Sequence, residues 1–166
     1  MNVRNITIND SANFLSLCKR IDSETENMIF SSGERNLTIK QQEESIKNIL
    51  ENKLSNIWVA EHNNILIGYL IAVGNTVIRK KHSLYIAIGV VQDFNNRGVG
   101  SELLANLIKW AKANLIHRIE LTVRVSNNNA IHLYKKMGFK EEGIKKHSLL
   151  IESKYEDELY MSKLLD

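Results

Sequence analysis

Two rhythms of apolar and polar positions run along this chain of 166 residues. Val3 to Thr7 alternates with the period of two that a half-buried strand requires. Asn9-Asp10-Ser11 then offers an N-cap to a helix over Ala12–Ile21, in which Phe14, Leu15, Cys18 and Ile21 share one face. Asp22–Leu37 is a polar connection long enough to be a functional loop. Thr38 caps a second amphipathic helix over Ile39–Leu54. Ile57–Ala60 and Ile65–Val73 flank Asn63-Asn64 and predict a tight hairpin, and Arg79–His82 predicts the tip of another. Ser83–Val91 carries apolar residues on both faces and predicts a central strand. A helix over Gly98–Leu115 buries a stripe of Leu103, Leu104, Leu107, Ile108, Ala111 and Leu115. After it come a strand over Ile119–Val125, a helix over Asn127–Met137 with Gly138 as its C-cap, and strands over Phe139–Leu150 and Tyr155–Leu164. Hairpins mixed with one helical crossover argue an α+β fold.

Composition sets bounds on this picture. The length suits one domain over residues 1–166, and 43% hydrophobic with 25% charged residues is ordinary for a globular chain. A net charge of +3 is too small to argue for nucleic acid as a partner. No apolar run approaches the roughly 20 residues that span a bilayer, and the first residues lack the apolar stretch of a signal peptide. One cysteine, Cys18, excludes an internal disulfide. Together these predict a cytoplasmic protein without membrane association. His62, His82, His117, His132 and His147 show no ligand spacing, so no metal is expected.

The chemistry concentrates where Val90-Val91 gives way to Gln92-Asp93-Phe94-Asn95-Asn96-Arg97-Gly98-Val99-Gly100 and a helix begins. Glycines in such a turn let an anion approach backbone N–H groups at a helix N-terminus. A P-loop would need Lys-Ser/Thr after its last glycine, whereas Ser101-Glu102 follows Gly100. A dinucleotide fingerprint would sit after the first strand, and this turn lies past the midpoint of the chain.

The segment Asn95-Asn96-Arg97-Gly98-Val99-Gly100 resembles the acyl-CoA signature Gln/Arg-x-x-Gly-x-Gly/Ala of the GNAT N-acetyltransferase family. Downstream, Asn127-Asn128-Asn129-Ala130-Ile131-His132-Leu133-Tyr134-Lys135-Lys136-Met137-Gly138-Phe139 is similar to that family's second signature. The resemblance covers about Ile65 to Leu164. It implies a mixed, mostly antiparallel sheet, flanked by helices and splayed between its fourth and fifth strands, with acetyl-CoA as co-substrate. The cofactor arm would then pair with the backbone edge of Gly89, Val90 and Val91. Its pyrophosphate would rest on the N–H groups of Arg97, Gly98, Val99, Gly100 and Ser101, with the Arg97 side chain as a further contact.

The resemblance further implies that Asn127 binds the cofactor arm and that Tyr134 protonates the leaving thiolate. Read without it, Asn127 is an N-cap and Tyr134 a core aromatic. Many family members carry a glutamate where Tyr85 stands, so the general base is open among Glu120, Glu34 and a water relay through Tyr85. Cys18 lies outside both motifs, which favours direct attack by a small-molecule or peptide amine, with Val90 N–H holding the oxyanion. A catalytically silent acyl-CoA sensor on the same fold is the alternative. The acidic residues of Asp22–Leu37 point to a cationic acceptor, and the last two strands are a candidate homodimer interface.

Overall fold

The computed structural model describes all 166 residues. Its strands are β1 (Asn2–Asn5), β2 (Asn56–His62), β3 (Ile65–Gly74), β4 (Ser83–Val90), β5 (Arg118–Arg124), β6 (Lys140–Ile151) and β7 (Lys154–Leu164). Its helices are α1 (Ser11–Glu24), α2 (Ile39–Glu51), α3 (Val99–Ala113) and α4 (Asn128–Lys136). The strands form one sheet in the order β1-β2-β3-β4-β5-β7-β6, antiparallel throughout except at β4–β5. This is the expected mixed α+β architecture.

Local chemistry explains most of the boundaries. Asn63 and Asn64 have φ of 51° and 61°, the left-handed pair that a two-residue hairpin between β2 and β3 needs. Glu152 and Ser153 make the equivalent turn between β6 and β7, at 46° and 64°. Thr38 starts α2 with reciprocal bonds: its Oγ1 accepts from Gln41 N–H at 3.2 Å, and Gln41 Oε1 accepts from Thr38 N–H at 2.8 Å. Three boundaries differ from the periodicity. A 3₁₀ turn over Ile8–Asp10 brings the start of α1 to Ser11, and α1 then runs on to Glu24. The second helix ends at Glu51, not Leu54, because Asn52 turns extended and its side chain bonds Gly74 O and Leu54 N–H instead. The stretch before β4 holds a 3₁₀ turn at Ile78–Lys80.

The two faces of the sheet are covered by different helices. Val59, Tyr69 and Gly89 stand in register on one face, where Phe14 of α1 meets Tyr69 edge-on at 5.4 Å. Trp58, Leu70 and Ile88 stand on the other, where Trp110 of α3 meets Trp58 at 5.5 Å. Leu103, Leu104, Leu107 and Ala111 of α3 are completely buried, as the helical stripe predicts, but Leu115 is exposed, because α3 ends at Ala113 and Leu115 turns left-handed beyond it. β4 departs from the expectation of burial on both faces. Its Tyr85 and Ala87 are exposed on the α1 face, because no helix covers the sheet there.

The N-terminal strand is tied to α1 by charge. Arg4 donates to both oxygens of Asp10 at 2.8 Å and to Glu61 Oε2 at 2.8 Å, while Asp10 also accepts from Thr7 N–H at 2.7 Å. These bonds hold the Asp10 carboxyl down at about 2, below its ordinary value of 3.8, with the Arg4 hydrogen bond as the largest cause. A depressed carboxylate stabilises the fold above its ordinary pKa, and that stabilisation disappears as pH falls through 3.8 toward about 2. Asp10→Asn is therefore expected to cost about 2 kcal/mol at neutral pH and nothing at the acid end. Urea unfolding of both proteins across this pH range measures the convergence, and parallel curves would refute it.

Candidate active site

β4 and β5 pair over only three positions, Ser83↔Arg118, Leu84↔Ile119 and Tyr85↔Glu120. Beyond them β4 stays with β3 as far as Val90, and β5 stays with β7 as far as Arg124. The strands part, and a cavity of about 770 Å³ opens between them. The Tyr85 hydroxyl lies 2.8 Å from Thr122 Oγ1 and spans the point of parting. Val91 N–H bonds Ile67 O at 3.0 Å, so strand alternation turns the peptide groups of Val90 and Ile88 away from β3, into the opening.

The glycine turn forms one end of the cavity. Gly98 is the N-cap of α3 with φ of 83°, a left-handed conformation in which a Cβ is strained. Gly100 lets α4 approach closely, since a Cβ there would lie 2.7 Å from Leu133 Cδ2. Gly98, Val99, Gly100 and Ser101 all line the cavity. The first N–H groups of α3 have no intrahelical acceptor and carry the positive end of the helix dipole. Asn127 caps α4 by accepting from Ala130 N–H at 3.2 Å, which leaves its amide NH₂ free to donate into the cavity it lines. The N-cap role read from the sequence is thus met, and the amide that the second role would use is unengaged.

Tyr134 sits in the same cavity, 6% exposed and packed against Phe139 at 5.6 Å between ring centres. Burial raises its phenol above the usual range, and Tyr85 adds to the shift. The hydroxyl therefore stays protonated and remains a donor. Cys18 is buried in the core, and burial pushes its thiol up to about 12, so it carries no thiolate.

Other predicted site residues lie elsewhere. Val91 is completely buried, with its N–H held by Ile67. Arg97 stacks its guanidinium over Phe94 at 5.2 Å and does not line the cavity. Glu120 is held by Arg118 at 2.7 Å, and Glu34 accepts from Ser31 N–H at 2.8 Å; both lie outside the cavity. Tyr85, Val90 and Tyr134 are the candidates that the fold brings together with the glycine turn and Asn127.

The Asp22–Leu37 segment, expected as a functional loop, begins as a strap at the end of α1 whose anchors the sequence did not show. Glu24 accepts from Gln92 N–H at 2.6 Å and from Arg20 at 2.6 Å, and Arg20 also holds Asp93 at 2.8 Å. On the far side, Arg124 donates to Glu26 O at 3.0 Å and makes a bidentate pair with Glu156 at 2.8 and 2.7 Å. Thr25, between these anchors, and Asn27, Met28 and Ile29, just after the second, contribute to the cavity wall.

The profile of the acetyltransferase (GNAT) family matches residues 21–139. The L-amino acid N-acetyltransferase AaaT of Escherichia coli (strain K12) is 39% identical over 90 residues, which are 52% of this chain and 54% of that protein. The chain spans about half the length of the curated relatives it matches. The crystal structure of a GNAT-family acetyltransferase from Streptococcus pneumoniae superposes with a TM-score of 0.94 at 26% identity, covering 99% of both chains. A phosphinothricin acetyltransferase of the GNAT superfamily from Sinorhizobium meliloti, crystallised in complex with AcCoA, shares the fold. Its TM-score is 0.87 at 16% identity, over 99% of this chain and 88% of that one.

The strap anchors generate a direct expectation. Arg124→Gln removes the hold on Glu26 and leaves Glu156 without its partner, at a cost of about 2 kcal/mol. Amide exchange over Thr25–Ile29, followed by hydrogen–deuterium exchange, should accelerate while α3 stays protected. Unchanged protection of the strap would refute the anchoring.

Proposed function

Because the chain belongs to the acetyltransferase (GNAT) family, we propose that it transfers the acetyl group of acetyl-CoA to a primary amine of a small molecule or peptide. The amine attacks the thioester directly while both substrates are bound. The observation that carries this reading is the free backbone edge of β4 opening beside an anion cradle, with Tyr134 in the same cavity. A strand-like pantetheine arm satisfies that edge and meets the free amide of Asn127, while its pyrophosphate meets the N–H groups of Gly98 to Ser101.

Each step has a group suited to it. Attack on the thioester carbonyl places negative charge on oxygen, and the Val90 N–H turned into the opening is a fixed dipole for it. Collapse breaks the C–S bond, and the protonated Tyr134 hydroxyl presents its hydrogen to the departing sulfur. The high pKa of Cys18 argues against an acetyl-cysteine intermediate. An amine acceptor agrees with the E. coli relative, named for acetylation of L-amino acids. The acyl donor agrees with the S. meliloti structure, which holds AcCoA.

Thiol release from acetyl-CoA, followed against a panel of L-amino acids, dipeptides and alkylamines, tests the reading. Turnover with at least one class is expected. Tyr134→Phe should then lower kcat by about 10- to 100-fold while the affinity for CoA, measured by calorimetry, stays within about 2-fold. Gly98→Ala should do the reverse, weakening CoA binding by about 5-fold through roughly 1 kcal/mol of backbone strain. CoA binding without thiol release for any acceptor would support an acyl-CoA sensor instead.

A further inference from the structure

Two carboxylates line the cavity: Glu24, one of the acidic residues of the loop that the sequence tied to a cationic acceptor, and Glu158, which the sequence reading did not name. Glu24 is fully engaged, with one oxygen on Arg20 and the other on the Gln92 N–H. Glu158 is different. It stands on β7 opposite Arg124, two residues along the strand from the Tyr160↔Thr122 pair. This register puts Glu158, Thr122 and Tyr85 on the α1 face, under the strap. The side chain is 13% exposed, and its Oε2 accepts from Ser148 Oγ at 2.8 Å, with Lys145 Nζ at 3.7 Å. Its Oε1 has no hydrogen-bond partner in the protein and is not sealed from solvent, and Glu158 is one of the residues that line the cavity.

Resting on the acetyltransferase reading, we infer that Glu158 receives the ammonium of the acceptor and takes its proton. An alkylammonium has no lone pair, and its pKa of about 10 keeps it charged at neutral pH. A half-buried carboxylate with one free oxygen attracts that cation and accepts the proton. The Tyr85–Thr122 hydroxyl pair lies between Glu158 and the β4 edge and conducts the proton where direct contact is lacking. Met28 and Ile29 of the strap and Leu149 of β6 supply apolar walls for the body of the amine. The proton balance closes. The first N–H proton leaves through Glu158 to water, and the C–N bond forms as C–S breaks. The second N–H proton replaces the one that Tyr134 gives to sulfur.

The test compares two probe amines on the full chain: tyramine, charged at neutral pH, and phenylhydrazine, already neutral there. Glu158→Gln keeps the shape and the acceptor for Ser148, so its melting temperature and CoA affinity serve as controls for folding. With Glu158 as base, this variant loses about 100-fold in kcat/KM for tyramine and less than about 5-fold for phenylhydrazine, and Glu158→Asp recovers part of the tyramine rate. Equal losses for the two amines, or full activity with both, would overturn the assignment and leave the transferase reading standing. A wild-type chain that binds CoA but acetylates neither probe and no amine of the panel would overturn the transferase reading, and the role of Glu158 with it; turnover of panel amines with neither probe accepted would overturn the assignment of this pocket to the acceptor.

Discussion

The site depends on one geometric fact, the separation of β4 from β5 after three paired residues. A parallel pair that continued would satisfy its own peptide groups and leave nothing for a ligand. Here the peptide groups of Ile88 and Val90 point into the opening. Buried and unpaired, each such group would cost about 1–3 kcal/mol. The opening is held from both sides: α3 and α4 stand on one face, and α1 with its strap stands on the other. The Tyr85–Thr122 contact at 2.8 Å marks the vertex.

This arrangement divides the labour between the faces of the sheet. The cradle of Gly98–Ser101, Asn127 and Tyr134 belongs to the face of α3 and α4, whereas Tyr85, Thr122 and Glu158 belong to the face of α1. The strap is fixed at both ends, to Gln92 just ahead of the glycine turn and to Arg124 on β5. A displacement of the turn that carries the anion cradle is therefore transmitted through Glu24 to the wall that would meet the acceptor. The strap, hydrogen-bonded to Gln92 on one side and to Arg124 on the other, links the two sides of the opening.

Local signals in the sequence were reliable where the chemistry itself is local. The Asn63-Asn64 turn, the Thr38 capping box, the apolar stripe of α3 and the glycine turn all depend on residues a few positions apart. The site residues that escaped depend on register. Glu158 reaches the cavity only because β7 pairs with β5 so that it faces Arg124, a pairing no stretch of either strand announces. Glu120 occupies the same polar face of β5 as Thr122 and Arg124, but Arg118, two residues earlier on that face, claims its carboxylate. The alternation Glu120, Thr122, Arg124 between Ile119, Leu121 and Val123 was the available clue. Here the polar face of β5 is the side that meets the strap and the cavity.

The unpaired edge of β4 also has a consequence for what can enter. Exposed edges ordinarily invite other polypeptides, and proteins guard them with charge, bulges or covering loops. This edge sits in the interior of the sheet, with helices on one side, a strap on the other and β5 across the gap. Another protein strand, with side chains projecting above and below its backbone, meets both walls before it can dock. An unbranched chain carrying amides meets neither. The recess is therefore a filter of cross-section: it offers the hydrogen bonds of a β-strand to molecules thinner than one, and so keeps an edge open without making it adhesive.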